Sequence, residues 1–282
     1  MHRTMSLSFP PFTRAIKTLL AINIGMYMLM ILLAKTGAVD AGGWIVLHLG
    51  LIPQQVVHGW VWQLLTYSTI HGNFFHLFFN MLMLWMFGAN LEIQWGHRRF
   101  MEFFFFGVFG AGLTSVLLAY TLGHFVSLDP TTVTVGASGG VFAIYMACAM
   151  LFGEQQVFIF PLPLSMKMKY LVFIFGFIAL IGALDDRAGG GTANIAHLGG
   201  LLFGYLYVKF VPRRGFTYVL SEGYFGIRNS YHRWKRRRAG RKFQVYMRKH
   251  NKDPKEYFDE YGNFRPPEDF DKKDGGPGGW VN

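Results

Sequence analysis

Six long runs of apolar residues constrain this chain more than any other feature of its sequence. A helix needs about 20 apolar residues to cross the hydrocarbon core of a bilayer, and a helix satisfies its own backbone hydrogen bonds there. We therefore predict an all-α membrane protein built as a bundle of six transmembrane helices. The runs cover residues 18–34, 74–90, 100–122, 138–152, 170–184 and 193–211.

The composition agrees with a membrane location. Hydrophobic residues make up 52% of the chain and charged residues only 15%, whereas a soluble domain carries about a quarter charged residues. The first apolar run is too long for the apolar region of a cleavable signal peptide, so we expect it to remain in the membrane. We expect an integral multi-pass protein and assign it to the bacterial inner membrane.

The charges between the runs predict the orientation of the chain. Lys and Arg flank the cytoplasmic ends of membrane helices. If there are six spans, four basic sites fall on one side, which places both termini in the cytoplasm. These sites are Arg14 with Lys17, His97 with Arg98 and Arg99, Lys167 with Lys169, and Arg213 with Arg214. The opposite connections carry Lys35 with Asp40, then Asp129, then Asp185, Asp186 and Arg187.

The predicted organisation has three parts. Residues 1–14 form a short cytoplasmic N-terminus, residues 15–211 the six-helix core, and residues 212–282 a basic and partly disordered cytoplasmic tail. Much of the net charge of +11 comes from the tail, whose basic cluster runs from Arg233 to Lys242. This cluster can bind anionic lipid headgroups, at about 1 kcal/mol per basic residue. The alternative is a solvated tail that only reinforces the topology; nucleic acid is not an expected partner.

The connection at residues 36–73 is too long and too apolar for an ordinary solvated loop. It contains Trp44, Trp60 and Trp62, and tryptophan favours the membrane–water interface. We expect this segment to lie in or on the outer leaflet, and the alternative is a small folded cap outside the membrane. Residues 131–135 have a strand-like composition, but we expect them to form a loop between two spans.

A first group of polar residues lies at the start of the second run. Polar side chains are costly inside a bilayer and therefore mark candidate functional positions. His76 and Asn80 are four residues apart and share one helix face, and His71 precedes them. Such a pair also occurs as a packing contact between membrane helices. The histidines have no neighbouring cysteine or carboxylate, and the HExxH pattern is absent, so we expect no metal and no cofactor.

A second group surrounds Ser138 at the start of the fourth run. A serine in a membrane helix ordinarily bonds back to its own helix. Here Gly136, Gly139 and Gly140 allow close approach of a substrate, and the free N–H groups at a helix start favour negative charge. The string also matches the G-x-S-x-G nucleophile elbow. We reject that interpretation because the chain has no room for the soluble parallel sheet that such an elbow requires.

A third group lies in the sixth run. Gly200 and Gly204 follow His197 by three and seven residues, so all three share one face. Small residues on a face allow two membrane helices to pack closely. With six spans, the fourth and sixth helices run in the same direction, which brings His197 and Ser138 to a similar depth. The alternative is a histidine that only bonds to a neighbouring helix.

Taken together, these strings resemble the rhomboid family of intramembrane serine proteases. They occur in order on the second, fourth and sixth apolar runs, and the resemblance covers residues 15–211. The strings are His71-x4-His76-x3-Asn80, Gly136-x-Ser138-Gly139 and Ala196-His197-x2-Gly200-x3-Gly204. Glu92 falls where the family often carries a structural glutamate.

The resemblance implies a serine endopeptidase that cleaves single-span membrane proteins near the outer membrane surface. Ser138 would be the nucleophile and His197 the general base, without an aspartate partner. His76, Asn80 and the Ser138 backbone N–H would stabilise the oxyanion. The fifth helix, or the connection before the sixth, would move to admit substrates. The supporting residues would be Gly136, Gly139, Phe142 beside His197, Gly200, Gly204 and His71.

Two other functions compete with this one. A catalytically inactive relative that binds membrane proteins would ordinarily lack Ser138 or His197, and this chain has both. A transporter or channel would have polar residues along a path to both faces and would show inverted repeats. The polar residues of this chain cluster at one depth.

Overall fold

The computed structural model describes residues 9–36, 39–122, 129–159, 164–184, 191–212, 215–251 and 253. It divides into two compact units, Met1–Thr217 and Tyr218–Asn282. Several predicted features lie outside the described residues. They are most of the cytoplasmic N-terminus, the charged connection at residues 185–187, the basic pair Arg213 and Arg214, and the tail beyond residue 253.

Ten α-helices and one β-hairpin make up the described secondary structure. The first helices are α1 (Arg14–Lys35), α2 (Val39–Leu49), α3 (Pro53–Val57) and α4 (Gln63–Thr66), followed by a 3-10 turn (Tyr67–Thr69). Next come α5 (Phe74–Trp95), α6 (His97–Thr121) and α7 (Ser138–Phe152). Strands β1 (Gln156–Ile159) and β2 (Leu164–Lys167) precede α8 (Met168–Leu184), α9 (Gly191–Phe210) and α10 (Phe216–Lys249).

All six predicted apolar runs are helical, and they correspond to α1 and α5 to α9. Within the described residues, α1, α5 and α6 are long and apolar enough to cross a membrane, as judged by length and composition. Helices α7 and α8 are also apolar, but they are shorter. The protein is therefore mostly helical with several apolar helices, while the count of six spans and the orientation of the termini stay predictions.

The fold is mostly helical rather than entirely helical, because a hairpin lies between α7 and α8. Its antiparallel strands pair Gln156 with Lys167. The exposed carboxylate of Glu154 accepts hydrogen bonds from Lys167, at 2.7 Å, and from Lys169. These ion pairs lower the pKa of Glu154 to about 2. The prediction treated this segment only as a basic connection, since a short hairpin held by pairing between its own strands leaves little trace in hydropathy.

Helix α7 occupies the centre of the bundle and packs against α5, α6, α8 and α9. Its contact with α9 is unusually close. A Cβ atom placed on Gly200 would lie 2.2 Å from the carbonyl oxygen of Gly139, and one placed on Gly204 would lie 2.7 Å from that of Ala143. The two backbones therefore touch, as small residues permit in membrane helices. This contact sets the register between α7 and α9.

The segment before α5 folds into short helices that share one buried polar residue. Gln63 accepts a hydrogen bond from the Ile52 N–H at 3.1 Å and donates to the Leu47 carbonyl at 2.9 Å. The ring of Trp44 stacks on that of His48 with centroids 3.9 Å apart, and Trp44 is 58% exposed. An exposed tryptophan is consistent with the predicted interfacial location, which stays a prediction.

Glu92 closes the beginning of α1. Its buried carboxylate accepts hydrogen bonds from the Thr13 hydroxyl and from the backbone N–H groups of Ala15, at 2.7 Å, and Ile16, at 3.2 Å. These N–H groups belong to the first turn of α1, where no intrahelical acceptor exists and negative charge is favourable. Glu92 therefore joins α5 to α1, which is a structural role of the kind that the resemblance implied.

The second unit contains nearly all of α10, a helix of 34 residues. The basic cluster between Arg233 and Lys242 lies within it. From Phe216 to Lys249 the tail is thus regular helix. The prediction of a partly disordered tail remains open for residues 254–282.

Candidate active site

A sharp turn delivers Ser138 to the first position of α7. The preceding chain is extended, and the backbones of Thr134 and Leu51 exchange two hydrogen bonds of 2.9 Å. Gly136 then adopts φ +121°, a conformation that favours glycine, and its N–H donates to the Tyr67 carbonyl at 3.0 Å. Helix α7 starts at once, with its first backbone bond from Val141 to Ala137. The N–H groups of the first turn are therefore left without an intrahelical acceptor.

The structure brings the hydroxyl of Ser138 and the imidazole of His197 together. The distance from Ser138 Oγ to His197 Nε2 is 2.8 Å, although the two residues are 59 positions apart. Both side chains are half-buried. His197 lies one turn before Gly200 on α9, so the close approach of α9 to α7 at Gly200 is what brings the imidazole within reach.

Phe142 lies flat against His197. The two rings are parallel to within 2°, and their centroids are 4.1 Å apart. Phe142 is one turn beyond Ser138 on α7, so a single helix presents both the hydroxyl and the surface on which the imidazole rests. The stack restricts rotation of the imidazole and holds Nε2 towards Ser138.

His76 completes the cluster from α5. The position that a Cβ of Gly136 would occupy lies 2.6 Å from His76 Nε2 and 3.8 Å from Ser138 Oγ. The imidazole of His76 therefore fills the space above Gly136, beside the hydroxyl. A side chain at residue 136 would displace it, which gives Gly136 a steric role in addition to its backbone conformation.

His71 supports the cluster from the chain before α5. Its ring meets that of His76 edge-on, with centroids 5.0 Å apart, and its Nε2 accepts a long hydrogen bond of 3.5 Å from the Ala137 N–H. His71 is buried, and burial lowers its pKa to about 4, with a further contribution from the nearby His76. His71 is therefore neutral at physiological pH, as an acceptor for a backbone N–H must be.

Asn80 is close to the cluster but is engaged elsewhere. It is buried, and its amide donates to the backbone carbonyl of His76 at 2.8 Å. An amide nitrogen carries two hydrogens, so the second one is available to a reacting group. The structure thus ties the Asn80 amide to the backbone of His76, a residue of the cluster.

Tyr67 is a site residue that the sequence did not reveal. Its hydroxyl donates to the Val108 carbonyl at 2.8 Å, and its backbone carbonyl holds Gly136. The position of a Cβ on Gly139 would be 2.8 Å from the Tyr67 oxygen, so Gly139 leaves room for this ring. Nothing around Tyr67 in the sequence distinguishes it from the other aromatic residues of the long connection.

No group of three or more His, Cys, Asp and Glu side chains that could hold a metal ion occurs among the residues that the structure describes. The polar cluster consists of a hydroxyl, imidazoles, an amide and backbone N–H groups. Such a set is suited to proton transfer and to stabilising an oxyanion.

A family model of the rhomboid domain matches residues 58–214. The chain belongs to the rhomboid family. The match confirms the resemblance, and it contains every predicted site residue, from His71 to Gly204. Together with the apolar helices, it identifies the chain as a multi-pass membrane protein.

Three rhomboid relatives illustrate the range of similarity. The yeast (Saccharomyces cerevisiae) "Rhomboid protein 1, mitochondrial" is 28% identical over 145 residues, which are 51% of this chain and 40% of that protein. Rhomboid protease AarA of Providencia stuartii is 27% identical over 198 residues, which are 67% of this chain and 69% of that protein. "Inactive rhomboid-related protein 2" of Caenorhabditis elegans is 26% identical over 167 residues, 58% of this chain and 41% of that protein. The chain therefore spans less than half the length of two of these three relatives.

Proposed function

We propose that this rhomboid-family protein is an intramembrane serine endopeptidase in which Ser138 and His197 form a catalytic dyad. The observation that carries the proposal is the 2.8 Å contact between Ser138 Oγ and His197 Nε2 at the start of a buried, apolar helix. This distance lies within the range in which a base removes the proton of a nucleophile.

The reaction follows from the positions of the two groups. His197 Nε2 accepts the proton of Ser138 as Oγ attacks the scissile carbonyl, and a tetrahedral oxyanion forms. The intermediate collapses to an acyl-enzyme when the imidazolium returns the proton to the leaving amine. A water molecule, deprotonated by the same imidazole, then attacks the ester carbon; the imidazolium returns this proton to Ser138 Oγ as the C–O bond breaks, and the acid product leaves. The stack on Phe142 orients the imidazole, a task that an aspartate performs in a triad.

The oxyanion would be stabilised at the beginning of α7. The Ser138 N–H is one of the free donors of the first turn, where the helix dipole favours negative charge. The imidazole of His76 lies beside the same space, and Asn80 has its second amide hydrogen available. Removing one such donor typically lowers turnover by about 10²–10³.

We further propose six spans with both termini in the cytoplasm, in a bacterial inner membrane. Helix α7 has 15 residues and is about 22 Å long, which is less than the ~30 Å of the hydrocarbon core. If its last turn reaches the cytoplasmic surface, Ser138 lies below the outer one. The substrates would be single-span proteins whose helix unwinds near that surface, because a hydrogen-bonded helix hides its carbonyls. Movement of α8, or of the connection before α9, would admit them.

Cleavage of a panel of single-span proteins in liposomes tests the proposal. We expect the wild type to cleave at least one, and Ser138→Ala and His197→Ala to cleave none while retaining wild-type thermal midpoints in detergent. Ser115→Ala is a matched control, because Ser115 is a buried helix serine bonded back to Ala111 at 3.1 Å. Labelling by a fluorophosphonate should disappear in Ser138→Ala, become much slower in His197→Ala and stay unchanged in Ser115→Ala. Equal labelling of the wild type and Ser138→Ala would overturn the assignment of the nucleophile.

The oxyanion role of Asn80 has its own test. Asn80→Ala should lower kcat by about 10²-fold with little change in KM, because a transition-state interaction is lost. Asn23→Ala is the matched control, since Asn23 is a buried helix asparagine bonded back to Leu19 at 2.8 Å. A pure KM effect in Asn80→Ala would contradict the role.

A second candidate function is binding of membrane proteins without cleavage. The relative from Caenorhabditis elegans that is named inactive motivates this alternative. This alternative predicts that the wild type and Ser138→Ala bind membrane proteins in detergent extracts with the same affinity. It also predicts that neither the wild type nor Ser138→Ala cleaves them. The transporter alternative would require solute flux through liposomes containing the protein.

A further inference from the structure

Helix α10 combines a high positive charge with exposed aromatic residues. Between Phe216 and Lys249 the sequence contains ten Lys and Arg residues and a single acidic residue, Glu222. Nearly all side chains described from 222 to 238 are exposed. This part of the helix therefore presents an exposed surface that none of the described residues of its unit covers.

Four large side chains form one line along this helix. Tyr224, Ile227, Tyr231 and Trp234 follow one another at spacings of three, four and three residues, so they share a face. They are 62%, 76%, 56% and 53% exposed, respectively. We call these four residues the aromatic stripe. Exposed large side chains that lie side by side in this way offer a surface to which a partner or a membrane can bind.

Basic side chains flank the stripe and contact its rings. The guanidinium of Arg238 lies 5.3 Å from the ring centre of Trp234, which is in turn 6.0 Å from that of Tyr231. Outside the stripe, Arg228 makes a similar contact with the ring of Phe225, at 5.5 Å. Cations and amphipathic rings are thus presented side by side, the combination found where helices lie on lipid headgroups.

We propose that α10 lies on the anionic surface of the membrane in which the protein is embedded, with the aromatic stripe turned towards the bilayer. Tyrosine and tryptophan favour the interface, and the basic side chains would bind anionic headgroups. Five residues separate the end of α9 at Phe210 from the start of α10 at Phe216, so these two helix ends can be at most about 22 Å apart. The inference rests on the proposed function only in that α9 crosses the bilayer; it is independent of the protease chemistry.

The sequence along the stripe argues against pairing of two copies through this face. The same spacing continues from Trp234 to Arg238 and Arg241. Pairing of two helices would place these like charges in the seam of a coiled coil, where apolar residues are required. On a membrane the same arginines reach the headgroups, so one placement of the helix satisfies both the aromatic and the basic residues.

Site-specific fluorescence in the full-length protein tests the proposal. The single cysteine, Cys148, is buried and is replaced by alanine, and an environment-sensitive fluorophore is attached at Ile227→Cys on the stripe. Asn229→Cys is the matched control, because residue 229 is exposed on the opposite face of α10. Both proteins are placed in nanodiscs of phosphatidylcholine alone, or mixed with phosphatidylglycerol. Acrylamide reports exposure to water, and brominated acyl chains report contact with lipid.

In the mixed nanodiscs we expect the label at residue 227 to be shielded from acrylamide and quenched by brominated lipid, while the label at residue 229 stays accessible. The difference should vanish in phosphatidylcholine alone. It should also vanish when Lys235, Arg236, Arg237 and Arg238 are all changed to glutamine, because each basic residue raises binding to an anionic surface about fivefold.

Equal exposure of both labels in both lipids would overturn the proposal. Shielding that depends on protein density rather than lipid charge would overturn it in favour of self-association. Substrate cleavage is measured separately, so failure of the protease proposal can be distinguished from failure of the membrane-surface proposal for α10.

Discussion

Replacing Gly200 with alanine should separate the two members of the proposed dyad. The new Cβ would lie 2.2 Å from the carbonyl oxygen of Gly139, whereas ordinary contact begins at 3.4 Å. Helix α9 must therefore move away from α7 by about 1 Å at this point, since both atoms are fixed to helix backbones. His197 is one turn away on the same face, so its distance from Ser138 would rise from 2.8 Å to beyond hydrogen-bond range.

A displacement of about 1 Å can lower the rate of a catalytic step by 10²-fold, and overpacking costs roughly 1–3 kcal/mol of stability. We expect Gly200→Ala to lose about 10²-fold in the rate of fluorophosphonate labelling and of substrate cleavage. Gly25→Ala on α1 is the matched control, because nothing lies within 4 Å of its added Cβ. A folded Gly200→Ala protein that is labelled within threefold of the wild-type rate would refute the argument that this contact sets the dyad distance.

Three further predictions follow from other contacts. Glu92→Gln should lower stability by about 1–3 kcal/mol, measured by thermal unfolding in detergent, because the first turn of α1 loses its anionic acceptor. Glu154→Gln is the control and should change stability little, because the Glu154 ion pairs are exposed. Phe142→Leu should reduce the labelling rate at least tenfold with a small change in the unfolding midpoint, because the imidazole of His197 loses its parallel ring. Stability should fall as pH decreases from about 6.5 to about 4, because His71 takes up a proton in the unfolded state before the folded one, and His71→Gln should flatten this dependence.

The agreement between predicted runs and observed helices has a simple origin. Apolar runs of this length favour helices in a membrane regardless of what they pack against. The fourth run illustrates this, since the predicted range of 138–152 is also the range of α7. The apolar runs did not predict the β-hairpin after α7 or the long helix α10. The hairpin depends on pairing between two four-residue strands, and α10 is rich in basic residues and contains no long apolar run of the kind that marks the other long helices.

The residues of the candidate site also differ in whether the sequence reveals them. His76, Asn80, Ser138 and His197 stand out because polar groups are costly in an apolar run. Tyr67 did not, because an aromatic residue in an aromatic-rich segment carries no such signal. Its role depends on the carbonyl of Val108 and on Gly136, which are distant in sequence.

The sequence by itself determined the six apolar helices, the family that the chain resembles, and the few polar side chains that are out of place in a bilayer. These properties depend on local composition and spacing. Only the tertiary structure decided that Ser138 and His197 meet at 2.8 Å, that Asn80 is bonded back to His76, and that Glu92 closes α1. Each of these contacts requires two segments of backbone to be positioned relative to each other to within about an ångström. Hydrophobic periodicity carries no information at that scale.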